Sequence, residues 1–158
     1  AGFTQTTFDD TQTNFNVIYR AIIRFSDSNT NSRTWIGLFS NDPTASDNPS
    51  SAHIAAFRLS TGVESTFKAV TKDGTTINVV DTSVSLSANT NYLFYINATS
   101  STCLFQINNG TVFSTASNLP SSTQRLGSVN CVTATEAVAK NILIRKYGIE
   151  FGEGSVVR

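Results

Sequence analysis

Tyr92-Leu93-Phe94-Tyr95-Ile96-Asn97-Ala98-Thr99-Ser100-Ser101-Thr102-Cys103-Leu104-Phe105-Gln106-Ile107-Asn108-Asn109-Gly110-Thr111-Val112-Phe113-Ser114-Thr115 reads as three short extended runs joined by two reversals. Tyr92, Phe94 and Ile96 share one face of the first run, and Cys103, Phe105 and Ile107 share one face of the second. That two-residue alternation belongs to strands with one buried side. Asn109-Gly110 supplies the positive-φ pair expected of a two-residue hairpin turn. The result is an antiparallel meander, and its apolar face needs a second layer to cover it.

Working outward, the same alternation recurs. From Thr13 to Phe25, the residues Phe15, Val17, Tyr19, Ala21, Ile23 and Phe25 form one apolar face, with Arg20 and Arg24 on the other. A strand of this kind belongs inside a sandwich. Further strands are expected at Arg33–Ser40, Ala52–Leu59, Val63–Lys72, Thr75–Val80, Leu126–Val132 and Asn141–Phe151. Gly37 marks a bulge or a close approach. Asp73-Gly74 is a hairpin signal, and the Pro- and Ser-rich stretch 41–51 is a loop. Ala1–Asp10 reads as an edge strand or extended arm, Thr135–Lys140 as at most one helical turn, and Gly152–Arg158 as a frayed tail. Short strands at regular spacing with no helices between them predict one all-β domain over residues 1–158.

Composition narrows the function. Eleven basic and eleven acidic residues cancel, and no run of like charge occurs, so neither a nucleic acid backbone nor an anionic membrane is drawn to the chain by net field. Low charge with abundant Thr, Ser and Asn is the balance of β-proteins that work outside cells or on particle surfaces.

Catalytic constellations are missing from the sequence. His53 is the single histidine, it lies in an apolar strand pattern, and no serine elbow accompanies it, so it is expected to be a strand histidine with a satisfied ring nitrogen. No acids spaced by two on one face offer the carboxylate pair of a glycosidase, and Glu150 reads as a surface charge. These readings predict a protein that is not an enzyme, with no cofactor and no metal. The oxygen-rich stretches 41–48 and 27–29 lack a defined calcium spacing and read as turns capped by their own side chains. For Cys103 and Cys131 two alternatives stand, a disulfide or two buried thiols.

Sugar binding is the more plausible site chemistry. It uses an aromatic ring against the sugar face with polar groups beside it, and Trp35, Tyr92, Tyr95 and Arg20 are the groups available, of which Trp35, Tyr95 and Arg20 are singled out for the site. The competing reading is that aromatic residues in strand alternation line the core.

The succession Arg33–Phe39, Ala55–Arg58, Phe67–Thr76, Val79–Thr82, Phe105–Val112 and Asn118–Pro120 resembles the concanavalin A-like, laminin-G-type β-sandwich domains of bacteriophage and other viral structural proteins. That resemblance implies a two-sheet antiparallel jelly roll on a tail fibre or capsid surface, often in trimers. The partners it implies are further copies, neighbouring virion proteins or surface glycans. The main expectation is therefore a virion-surface domain acting in assembly or host attachment. The alternatives are a secreted carbohydrate-binding module, and a filament subunit that lends Ala1–Asp10 as a strand to its neighbour.

Overall fold

The computed structural model describes residues 3–7, 16–26, 31–43, 46–121, 124, 126–134 and 140–151. They form strands β1 (Phe3–Thr7), β2 (Val17–Phe25), β3 (Ser32–Phe39), β4 (His53–Ser60), β5 (Thr66–Asp73), β6 (Ile77–Ser85), β7 (Asn91–Ala98), β8 (Cys103–Ile107), β9 (Val112–Thr115), β10 (Gly127–Ala134) and β11 (Ile142–Phe151). Every pairing is antiparallel. A six-stranded sheet runs β1-β10-β3-β4-β5-β6 and a five-stranded sheet runs β11-β2-β7-β8-β9. The fold is thus an all-β, two-sheet antiparallel sandwich.

The inner rows follow the predicted alternation. Tyr19, Ala21 and Ile23 of β2 and Tyr92, Phe94 and Ile96 of β7 are buried against Ile36, Phe57 and Phe67 of the other sheet. Ring contacts across the sheets tie the layers together, with centroids 5.1 Å apart for Phe57 and Phe94, 5.4 Å for Phe57 and Phe105, and 5.3 Å for Phe67 and Phe94. Tilted and edge-on pairs of this kind stabilise beyond their area burial. One polar link crosses the same interior, where the Tyr19 hydroxyl donates to Asn130 Oδ1. Burial pushes the Tyr19 phenol well above its ordinary pKa, so it stays a neutral donor.

A second apolar layer lies on the outer face of the six-stranded sheet. Trp35, Phe39, Ile54, Ala56 and Val70 are buried there, although only one face of β3, β4 and β5 looks into the sandwich. The β3–β4 connection covers them, and its Ser46 and Asp47 carbonyls bond Trp35 and Arg58 on the sheet. Gly37 sits within this layer in unbroken register with Ala56 and Val129. Its φ is +143°, and a Cβ there would lie 2.7 Å from Ala55 O and Ala56 Cα. Close approach, and not a bulge, is the reason for glycine.

Several expectations need correction. The positive-φ pair of the β8–β9 hairpin is Asn108-Asn109 and not Asn109-Gly110, because Gln106 pairs with Val112 and leaves a longer turn. The strand expected from Val63 begins at Thr66, since Thr61–Val63 form a turn in which the Val63 and Glu64 amides donate to Ser60 O. Cys103 is a free, buried thiol, so the Cys103–Cys131 disulfide is absent. The two residues occupy different sheets, Cys103 on β8 and Cys131 opposite Trp35 on β10. Phe3–Thr7 pairs with the chain's own β10, so the segment that a strand-lending filament would offer is already used. Residues 135–139 and 152–158, read as a helical turn and a tail, lie outside the described residues.

Candidate functional site

Of the three groups predicted for a sugar site, the structure brings two together. Arg20 lies on the outer row of β2, in register with Tyr95 of β7 on one side and Gly148 of β11 on the other. Its guanidinium sits 5.5 Å from the centre of the Tyr95 ring, and its Nη1 donates to Glu150 Oε1 at 2.7 Å. Guanidinium and carboxylate stay about half exposed, at 49% and 57%, so solvent screens the pair and it contributes little to stability. Its value is positional, because it holds the guanidinium over the ring.

Gly148 opens the space beside this pair. No atom lies within 4 Å of where its Cβ would be, so the outer row has a gap facing Arg20. The gap continues as a groove of ≈ 190 Å³ between Arg20 and Glu150 on one side and Lys146 on the other, with Ile22 and Leu93 along it. A register shift between Ile144 and Lys146 sets the spacing, after which Lys146, Gly148 and Glu150 alternate on the outer row. The sequence carries a sign of this in the Lys-x-Gly-x-Glu spacing, which treating Glu150 as an isolated surface charge overlooks.

Trp35 is elsewhere and is no platform. It is on the other sheet, fully buried, with Nε1 donating to Ser46 O at 3.3 Å and the Arg58 guanidinium 5.6 Å from its ring centre. The competing core reading holds for this residue. The side chain fills the outer layer beneath the loop that the prolines and serines create.

The same loop is pinned by charge. Asp47 pairs with Arg33 at 2.5 Å and accepts from Ser60 Oγ at 3.2 Å, and Lys72 Nζ donates to Asn48 Oδ1 at 2.5 Å. Burial pushes the Asp47 carboxyl up, but Arg33, Ser60 and Arg58 together bring it below the ordinary carboxylate range. Beneath the loop, Arg58 pairs with Glu64, whose other oxygen accepts the Ser60 amide at 2.8 Å. The carbonyl oxygens of Ser46 and Asp47 and the side-chain oxygens of Ser46, Asp47 and Asn48 are therefore engaged by protein donors. The other oxygen-rich stretch, 27–29, lies outside the described residues.

His53 has a structural role. Its Nδ1 accepts the Ser121 amide at 3.1 Å, while the ring packs where a side chain on Gly74 would be, 2.8 Å from that Cβ position. Burial lowers its pKa below 6.5, against the opposing charge of Asp73 opposite it in the sheet. A protonated Nδ1 cannot accept, so the folded state favours the neutral ring. The folded protein then binds fewer protons than the unfolded chain, and the contribution is complete above pH 6.5 and lost as pH falls through the lowered folded pKa. Denaturation midpoints should accordingly fall on acidification from about pH 6.5, with the slope reduced in His53→Gln.

No protein-family model and no curated protein matches the sequence. Solved structures match the fold. A variant of alginate lyase A1-II′ superposes with a TM-score of 0.64 at 7% identity, over 96% of this chain and 71% of that one. Sheep galectin-11 gives 0.56 at 10% identity over 94% and 96%, and a Bacillus licheniformis β-glucanase gives 0.55 at 8% over 92% and 66%. At such identities the likeness concerns architecture alone: the chain has a concanavalin A-like jelly-roll fold.

Proposed function

We propose that this domain binds carbohydrate without catalysis, through the groove on the outer face of its five-stranded sheet. The observation that carries the reading is the Arg20 guanidinium held over the Tyr95 ring by Glu150 beside the opening at Gly148. A pyranose has an apolar face and a rim of hydroxyls. Ile22 and Leu93, which line the groove, provide apolar contact, and the Tyr95 ring backs the Arg20 guanidinium. Arg20 and Lys146 donate to hydroxyls or a sugar carboxylate, and Glu150 accepts from hydroxyls.

The single histidine, on the six-stranded sheet away from the groove, is engaged by the Ser121 amide, which supports a binding role over a hydrolytic one. The fold class, shared with a galectin, supports carbohydrate as the ligand. On a particle surface this binding would serve attachment, which keeps the virion reading as the setting for the same site.

Glycan-array binding of the intact chain tests the proposal. Tyr95→Ala and Arg20→Ala should each weaken the selected glycan at least about tenfold, equivalent to ~1.4 kcal/mol, with melting temperature nearly unchanged. Absence of any bound glycan, or unchanged affinity in both variants, would reject this groove.

A further inference from the structure

We infer that β11 is a self-association edge, by which two copies join their five-stranded sheets across a two-fold axis through Gly148. Among the described residues β11 is the longest strand, with ten residues, and it stands at the edge of its sheet. It also carries Leu143 and Tyr147, 52% and 39% exposed. A long edge strand bearing exposed apolar side chains is a template for pairing with another chain.

Symmetry and charge select the register. In a sheet continued across a two-fold axis, the outer row of one copy must meet the outer row of the other, so the axis passes through a residue and not between two. Lys146, Gly148 and Glu150 form that outer row beyond the register shift. An axis at Lys146 sets two ammonium groups against each other. One at Tyr147 places Lys146 against Gly148 of the second copy, and one at Ile149 places Gly148 against Glu150.

Only the axis at Gly148 sets Lys146 opposite Glu150, and it does so twice. Lys146 has no carboxylate partner among the described residues, and Glu150, whose Oε1 holds Arg20, is 57% exposed on the outer row. The two glycines on the axis leave room for close approach, since nothing lies within 4 Å of the Gly148 Cβ position. On the inner row Tyr147 then meets Ile149 of the second copy. Because Lys146, Gly148 and Glu150 also line the groove, the two grooves become neighbours on one ten-stranded sheet. The association does not require the groove to take a glycan.

Sedimentation of the intact chain from about 1 µM to about 1 mM should show a dimer. Lys146→Glu and Glu150→Lys should each weaken it at least about tenfold, because each puts two like charges face to face. Their equimolar mixture should regain the dimer, since both facing pairs are then of opposite charge. The Gly148→Cys variant reports the register directly: the two Cα atoms at position 148 would be about 4.5–5.5 Å apart, within disulfide reach. In the Lys146→Cys variant the two thiols would lie too far apart to cross-link. Circular dichroism of each variant checks that the sheet is retained. A monomer throughout the range, variants with undiminished association, or cross-linking of the Lys146→Cys variant and not of the Gly148→Cys variant would overturn the inference.

Discussion

Trp35→Ala should lower the unfolding free energy by about 3–5 kcal/mol, the range for removing a large aromatic side chain from a packed interior. The indole is fully buried and meets the Phe39 ring edge-on at 5.2 Å. Its loss leaves a cavity between the six-stranded sheet and the 46–48 strap. It also removes the donor to Ser46 O and the ring beneath Arg58.

The strap should therefore loosen as well as the whole fold weaken. Urea denaturation will show the global loss, and hydrogen exchange will show early deprotection at 46–48 relative to the β7–β8 meander. Glycan affinity per folded molecule should be unchanged, because the groove is on the other sheet. A loss of affinity in a folded Trp35→Ala variant would mean that the site has been placed on the wrong face.

Glu64→Ala should cost about 3–5 kcal/mol as well, by a different route. Arg58 and Glu64 are only 11% and 9% exposed at their side chains, so removing the acid strands a buried guanidinium. The Ser60 amide loses its acceptor in the same step. The outer pair stands in contrast: Arg20 and Glu150 are about half exposed, and breaking that pair should change stability by less than about 1 kcal/mol. Chemical denaturation of Glu64→Ala, Glu64→Gln and Glu150→Gln side by side tests the difference. Glu64→Gln should fall between the other two, since it keeps an acceptor but not the charge. Equal small effects in all three would show that the Arg58–Glu64 pair is not buried as described.

Much of the fold is legible because strand periodicity is local. Tyr19, Ala21, Ile23 and Phe25 announce their common face by spacing alone, and Tyr92, Phe94 and Ile96 do the same; all are buried. Turn positions are less legible. At Asn108-Asn109-Gly110 three consecutive residues tolerate positive φ, and cross-strand register, which spacing does not reveal, chooses the first two.

The site is legible only in part. Arg20 and Tyr95 lie far apart in the chain on outward rows, and their outward direction follows from alternation. Their adjacency does not, because it depends on β2 pairing with β7 across the intervening strands of the other sheet. Trp35 is easily mistaken for a platform because alternation locates a face and cannot tell whether a remote loop covers it.

By itself, then, the sequence determined that the chain is all-β, which residues line the inner layer, and that its formal charges cancel. Those properties follow from side-chain order along single strands and from summed charge, both present in the linear chain. Tertiary structure alone decided that Trp35 is buried, that Cys103 stays a free thiol, and that Arg20, Tyr95, Gly148 and Glu150 share one face of the five-stranded sheet. Such facts depend on which strands become neighbours and in what register, and the free energy that chooses among pairings is gained only when both layers close on a common core.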